Sequence, residues 1–360
     1  MLWIAFFLSV ITAFLVTRLS IIVSNRRGIL DIPNPRSSHS QPVPRLGGIG
    51  ILAAALIVIA VLSAAESVGW LSSSLATRDI GILLLAGVVM AAAGLYDDFR
   101  GLRPAVKFLM QFLIAGWIVM SGFRIETFAV LNWGPFPLGF LAVPVTILWL
   151  TGFANIFNFM DGINGIAGLS AATYFAFFAV IARGQGQTAL ATVAIILAGS
   201  CVGFIPNNFP NAKTFMGDTG SLLLGITLAF YVVLLAQTAN EPATLVALVL
   251  VCSVYLWDGV FTLLRRLWRG ENIFQAHRSH LYQRLTQAGQ SHARITVLYF
   301  ILHLLLGFLA LSYLKGGLAW KAAVLVLAIL ALIGLTLAVH QLERRAARVA
   351  PDFNRAGSGH

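Results

Sequence analysis

Charge is scarce in this 360-residue sequence: 10% of its residues are Asp, Glu, Lys or Arg, against about a quarter in soluble domains. With a mean hydropathy of +0.87, that deficit excludes an ordinary water-soluble fold. Acidic residues are the scarcer sign, 13 against 24 Lys and Arg. Cysteine is nearly absent, and Cys201 and Cys252 both lie in apolar runs, which excludes a disulfide scaffold and a thiolate metal site. No hydrophilic stretch is long enough for a separate soluble domain, and no internal repeat is visible. The first apolar run, Leu2 to Val23, has neither a basic leading segment nor a small-residue cleavage site before Ser24-Asn25-Arg26-Arg27. It reads as a retained span.

What the chain has instead is apolar runs of about 20 residues, each enough helix to cross a hydrocarbon core. Eleven spans are expected, at about 2–23, 46–65, 79–96, 106–121, 138–155, 166–182, 188–206, 220–237, 243–264, 294–314 and 319–340. The expected fold class is an all-α integral membrane protein, a polytopic helical bundle of about 10–11 transmembrane helices. With the N-terminus out and the C-terminus in, nineteen of the 24 Lys and Arg fall on the inner side, the bias that sets orientation in membranes. The net charge of +11 is therefore a topology signal, and no nucleic-acid partner is expected. A single transmembrane domain is expected over 1–340, with inner loops at 24–47, 97–107, 155–168, 207–220 and 265–293, and a short basic tail at 341–360.

Polar residues concentrate in those inner loops. The stretch from Asn155 to Gly168 sets amides, a carboxylate and glycines between two apolar runs, which no lipid-facing helix needs. Asn155, Asn158 and Asp161 recur every three residues, roughly on one side of a helical end. Asp97 and Asp98 close the third span. Two adjacent carboxylates at a membrane surface require a cation or a proton, so they suit metal contact or deprotonation of an incoming phosphate, unless Arg100 or Arg103 simply pairs with them. Lys107 follows, where an ammonium reaches a phosphate. Asp218, Thr219 and Ser221 precede an apolar run, so backbone N–H groups, hydroxyls and a carboxylate converge at a helix start. Phe215, just before them, could stack on a nucleobase.

Asp258 lies about two turns inside Arg265-Arg266, either as a functional acid or as partner to a neighbouring cation. In the last inner loop His277, Arg278, His280 and Arg284 form a cationic cluster. No third ligand sits at zinc spacing, so anion binding is the better reading. Leu281, Leu285 and Ile295 have an amphipathic pattern that would lay part of this loop on the membrane surface. The first inner loop adds Arg36, His39 and Arg45 among prolines. Carboxylates facing a pyrophosphate need a hard divalent cation, usually Mg²⁺ held by one or two carboxylates plus phosphate oxygens, with Mn²⁺ as a substitute. Together these features point to phosphoryl transfer at the inner leaflet, where the acceptor can carry a lipid tail.

Asp97-Asp98, Asn155-x-x-Asn158-x-x-Asp161-Gly-x-Asn164, Phe215-Met-Gly-Asp218 and the later His277-Arg-Ser-His280 together resemble the motifs of the polyprenyl-phosphate N-acetylhexosamine-1-phosphate transferases (glycosyltransferase family 4). That family includes phospho-N-acetylmuramoyl-pentapeptide transferase and undecaprenyl-phosphate N-acetylglucosaminyl-1-phosphate transferase. The resemblance implies a Mg²⁺-dependent enzyme of the bacterial inner membrane, its site facing the cytoplasm. It would use undecaprenyl phosphate and a UDP-N-acetylaminosugar, release UMP, sit among membrane lipids and admit a homodimer. It implies Asp218 as metal ligand with Asn158 or Asp161 close by, and Asp97, Asp98, Asp161 and Lys107 as the catalytic group acting on the lipid phosphate. Asn164 and Phe215 would line a uridine pocket, and Arg278 and His280 would meet the sugar phosphate, with Asn155 and His277 also on the substrate. Two departures, Asn164 where the muramoyl branch has Asp and His277-Arg-Ser-His280 where it has consecutive histidines, argue against a muramoyl-pentapeptide donor. The segment from Glu271 to Gln283 looks more like the branch that starts O-antigen or related surface polysaccharides. A secondary transporter using intramembrane carboxylates is the alternative, weakened by the missing repeat. A lipid-binding assembly subunit without activity is the third.

Overall fold

The computed structural model describes residues 1–33, 41–69, 75, 77–272, 275 and 277–349; Arg36 and His39 lie outside them. Twelve α-helices occur among the described residues: α1 (Leu2–Arg27), α2 (Gly48–Ser67), α3 (Arg78–Arg100), α4 (Pro104–Met120), α5 (Ala142–Met160), α6 (Ile166–Gly184), α7 (Thr188–Phe204), α8 (Gly217–Thr238), α9 (Thr244–Trp268), α10 (Leu281–Gln287), α11 (His292–Lys315) and α12 (Leu318–Val349). Ten are long and apolar enough to cross a membrane, and α4 is a shorter apolar helix. The expected multi-pass helical membrane protein is the one found. Helix α12 continues through Val349, so the first part of the expected tail is helical. Two short antiparallel pairs complete the fold, β1 (Leu30–Asp31) with β2 (Val43–Pro44), and β3 (Thr127–Val130) with β4 (Trp133–Pro137).

Helix α8 is the axis of the bundle. It is apolar on every side, so it can be packed by other helices all round. Every residue from Thr219 to Leu235 is buried, against α2, α3, α5, α6 and α9. By contrast α1 lies at the edge. Its small residues Ala5, Ser9, Ala13, Thr17, Ser20 and Ser24 are buried, while Trp3, Ile4, Phe7, Ile11 and Leu15 are exposed, as for a helix seated on its neighbours by a small-residue stripe with lipid on the other side.

Hydrogen bonds sort the connections onto two ends. At one end Gly47 and Gly48 donate to Phe215 and Met216, Gly165 N–H to Asn208 Oδ1, and Arg284 to Glu343. At the other, Gln237 donates to Gly122 O, Gln187 to Thr238 O, and Leu131 N–H to Tyr313 Oη. All the expected inner loops therefore share one end. One expectation fails there: Leu281, Leu285 and Ile295 are 0–1% exposed, so the amphipathic face of that loop is covered by protein and does not lie on lipid.

The approach of α3 to α8 depends on Gly94. A Cβ there would stand 2.1 Å from Asp218 O, against backbone that cannot rotate away. Gly94→Ala is therefore expected to lower the thermal midpoint of the detergent-purified protein by the equivalent of about 2 kcal/mol or more. Gly116→Ala, where a Cβ meets nothing within 4 Å, should be neutral or slightly stabilising, since it only removes backbone freedom. Equal midpoints for the two variants would refute this account of the packing.

Candidate active site

Asp98, at the end of α3, caps a helix that is not its own. Its Oδ1 accepts from Asp218 N–H at 3.0 Å, and its Oδ2 from Thr219 N–H at 3.0 Å and Thr219 Oγ at 2.7 Å. A carboxylate placed on the first N–H groups of a helix satisfies donors that have no partner within it and meets the positive end of its dipole. Gly217 turns the chain into α8 with φ +69°, and a Cβ there would stand 2.6 Å from Asp98 Oδ2. Arg45 completes the join: it donates to Asp98 O, lies 3.6 Å from Asp98 Oδ1 and 3.4 Å from Asp31 Oδ1. The expected alternative partners, Arg100 and Arg103, are not the ones used. Arg45 was legible only as one of several loop arginines, although Pro44-Arg45-Leu46-Gly47-Gly48 immediately before α2 marks a stiff turn tight enough to hold it.

Beside this join lies the charge cluster. Lys107 Nζ donates to Asp97 Oδ2 at 2.7 Å and to Asp218 Oδ2 at 2.9 Å, while Asp97 also accepts from Leu102 N–H. Asn158 Nδ2 donates to Asp218 Oδ1 at 2.9 Å and to Ser221 Oγ at 2.7 Å. Residues from α3, α4, α5 and α8, up to 121 positions apart in sequence, thus converge on two carboxylates.

Asn155 does not join them. It donates to Gln111 on α4 and to Thr151 O at 3.1 Å. Three residues rotate a helix about 60° short of a full turn, so Asn155 and Asn158 face different neighbours, and α5 ends at Met160 before Asp161. Asp161 keeps some accessible surface, yet protein surrounds it. Burial, then the charges of Asp218 and Asp98, push its carboxyl up to about 7. On the neighbouring rim Asn164 donates to Pro210 O at 3.0 Å and Asn208 Nδ2 to Thr214 O at 2.8 Å, while Phe215 N–H donates to Pro44 O at 2.7 Å. Asn164 and Phe215 are therefore on adjoining turns.

The late loop repeats the capping device. Asp258, fully buried on α9, accepts from Leu281 N–H at 2.8 Å and Tyr282 N–H at 3.3 Å at the start of α10, and from Tyr299 Oη at 2.7 Å, with His280 Nδ1 at 3.0 Å. Of its two expected roles, that of partner to a neighbouring basic side chain is met by His280 and not by Arg265 or Arg266, and backbone N–H groups and the Tyr299 hydroxyl take the rest of the carboxylate. Tyr282 Oη donates to Phe159 O at 2.8 Å, so α10 is docked on the Asn155–Gly168 turn. His280 is buried and its ring lies 6.0 Å from Phe159; His277 lies 5.1 Å from His280. Burial, then His280 and Arg266, push the His277 imidazole down to about 4. It is neutral near pH 7 and offers hydrogen bonds, and Arg278 beside it is exposed.

Among the described residues no three of His, Cys, Asp and Glu gather as a complete metal-ligand set. The donors do fit Mg²⁺, which takes one or two carboxylates and completes its shell with waters and phosphate oxygens: Asp97 and Asp218 already share one cation, the Lys107 ammonium. Asp218 is the carboxylate that would hold such a cation. Asn158 turns its NH₂ group toward Asp218, so here it orients that carboxylate.

Two outcomes follow from the charges. Lys107→Met leaves two carboxylates facing each other, and because Lys107 is 23% exposed the cost is expected near about 2 kcal/mol, below that of a fully buried pair. The midpoint should fall in EDTA and recover with excess Mg²⁺; a fall that Mg²⁺ leaves unchanged would count against a shared cation. Asp161 holds its proton more tightly folded than unfolded, so its contribution to stability is full below the ordinary value of 3.8 and is lost as pH rises to about 7,. Metal-free Asp161→Asn should lack that decline in thermal midpoint across the same window.

Known proteins are similar to this chain in sequence. A model of glycosyl transferase family 4 matches residues 80–236, which span Asp97 to Asp218. A probable undecaprenyl-phosphate N-acetylglucosaminyl 1-phosphate transferase of Bacillus subtilis is 29% identical over 319 residues, 88% of this chain and 86% of the relative. A decaprenyl-phosphate N-acetylglucosaminephosphotransferase of Mycobacterium leprae is 30% identical over 323 residues, 81% of this chain and 78% of the relative. A phospho-N-acetylmuramoyl-pentapeptide-transferase of Limosilactobacillus fermentum is 33% identical, but over 52% of this chain and 58% of the relative. Identity at this level along most of two chains, together with acidic turns that meet at one end of a helical bundle, means that the chain belongs to glycosyl transferase family 4.

Proposed function

We propose that this protein transfers an N-acetylaminosugar-1-phosphate from a UDP-sugar to undecaprenyl phosphate at the cytoplasmic leaflet of the bacterial inner membrane, releasing UMP. The observation that carries the reading is the Lys107 ammonium held between Asp97 and Asp218 at 2.7 and 2.9 Å, a cationic bridge between carboxylates where a diphosphate and a lipid phosphate would meet. An oxygen of the lipid phosphate attacks the phosphorus that bears the sugar, and the bond from that phosphorus to the bridging oxygen of UMP breaks. Bound Mg²⁺, or Mn²⁺ in its place, neutralises the diphosphate charge. Asp218 holds the cation and Asn158 keeps Asp218 in position. Lys107, moving from carboxylate to phosphate, steadies the acceptor, while Asp97 and Asp161 take or hold its proton. Asp161, pushed up to about 7, is suited to this at neutral pH. Asp98 keeps the start of α8 in place. Asn164 and Phe215 receive the uridine, and His277, Arg278 and His280 the sugar phosphate.

The donor is read as UDP-N-acetylglucosamine or a close aminosugar such as the fucosamine or quinovosamine analogue. Supporting this, the relatives matching most of the chain are named for N-acetylglucosamine, whereas the muramoyl relative matches about half. The lipid-linked product would start O-antigen or another surface polysaccharide. Purified protein supplied with undecaprenyl phosphate, Mg²⁺ and a panel of UDP-sugars should release UMP with an N-acetylaminosugar donor. Asp218→Asn should lower the rate by more than about a hundredfold. Absence of UMP with every donor would defeat the proposal, as would accumulation of unaltered substrate in proteoliposomes.

A further inference from the structure

At the end of the bundle opposite Asp218, a cavity of about 200 Å³ opens to the surface, lined by Leu131, Asn132, Trp133, Glu241, Ala243 and Lys321. It is below the usual size of a site for a drug-sized ligand and has room for a small polar group. Lys321 is 7% exposed, in the first turn of α12, where the helix dipole makes a cation unfavourable. Its ammonium lies 5.5 Å above the Tyr313 ring, and among the described residues no carboxylate comes within ion-pairing distance of it. A lysine that is nine-tenths buried, makes no direct ion pair among the described residues and lines a cavity at a helix N-terminus is placed to receive an anion,. Tyr313 also fixes the opposite wall: Leu131, held at φ 58°, donates its N–H to Tyr313 Oη at 2.7 Å. A leucine in the left-handed region is strained, and this bond retains it there at the tip of the β3–β4 hairpin.

Glu241 adds the opposite charge to the same cavity. Trp133, 60% exposed at its rim, has the amphipathic ring that settles at the level of lipid headgroups. We infer that this cavity binds the headgroup of a zwitterionic phospholipid, with the phosphate on Lys321 and the primary ammonium on Glu241. A phosphatidylethanolamine headgroup has both charges, and an anionic headgroup such as phosphatidylglycerol has only the first.

The test is native mass spectrometry of the full chain in detergent, titrated with phosphatidylethanolamine or phosphatidylglycerol. Wild-type protein should retain phosphatidylethanolamine about tenfold better, Glu241→Gln should remove that preference, and Lys321→Met should weaken both lipids by about tenfold, as loss of one charge-assisted contact would. Lys315→Met, at the exposed end of α11, should behave as wild type. Size-exclusion profiles check folding, and Glu241→Gln alone decides the question if Lys321→Met does not fold. Equal retention of the two lipids by wild type, or an unchanged preference in Glu241→Gln, overturns the inference. Displacement of the lipid by an equal concentration of soluble glycerophosphoethanolamine overturns the lipid as the source of the headgroup.

Discussion

Two carboxylates and one ammonium cannot be left apart at a membrane surface, and the meeting of Asp97, Asp218 and Lys107 is the constraint from which the rest of this structure follows. Each charge alone would be costly beside hydrocarbon, so the ends of α3, α4 and α8 must be gathered, and the turns between them must be exact. Gly94 lets α3 touch the start of α8, and Gly217 turns the chain into it. The first loop, through β2 and Arg45, is pinned over the join by bonds to the carbonyls of Asp97 and Asp98.

The same economy recurs with the second pair of elements. Asp98 closes the N-terminus of α8 and Asp258 that of α10, each from a different helix. In a chain with only 13 acidic residues, two thus join the start of one helix to the flank or end of another. A buried carboxylate that accepts several N–H and O–H bonds is satisfied without a metal. Asp98 and Asp258 are satisfied mainly in this way, whereas Asp97 and Asp218 share the Lys107 ammonium. A transporter would set such acids near mid-membrane; here the cluster stands at the helix ends.

Much of this was legible in the sequence because hydropathy reports burial directly. Runs of about 20 apolar residues gave the spans, and polar residues between them could only be loops or a site. Asp97, Lys107, Asn158 and Asp218 were readable as a group for that reason. What escaped was orientation within a helix. The three-residue spacing from Asn155 to Asp161 suggested a common face, but Gln111 draws Asn155 aside and Asp161 lies past the end of α5. Asp258 looked like either a functional acid or a counter-ion, because nothing local reveals that Leu281 and Tyr282, more than twenty residues on, will present their N–H groups to it. The leucines of α10 suggested a lipid surface because periodicity records an apolar face and not what covers it.

One contact near the chain's end has a wider consequence. Arg284 of α10 grips Glu343 of α12 with two hydrogen bonds of 2.6 Å and His340 with a third of 2.9 Å. The final helix is therefore a tie rod, fastening the histidine segment to an element that spans the full thickness of the bundle. Force or bulk applied at the C-terminus, by a fusion partner or an affinity tag, would be transmitted through α10 to the Asn155–Gly168 turn, whereas the N-terminus, at the far end of α1, offers a quieter attachment point.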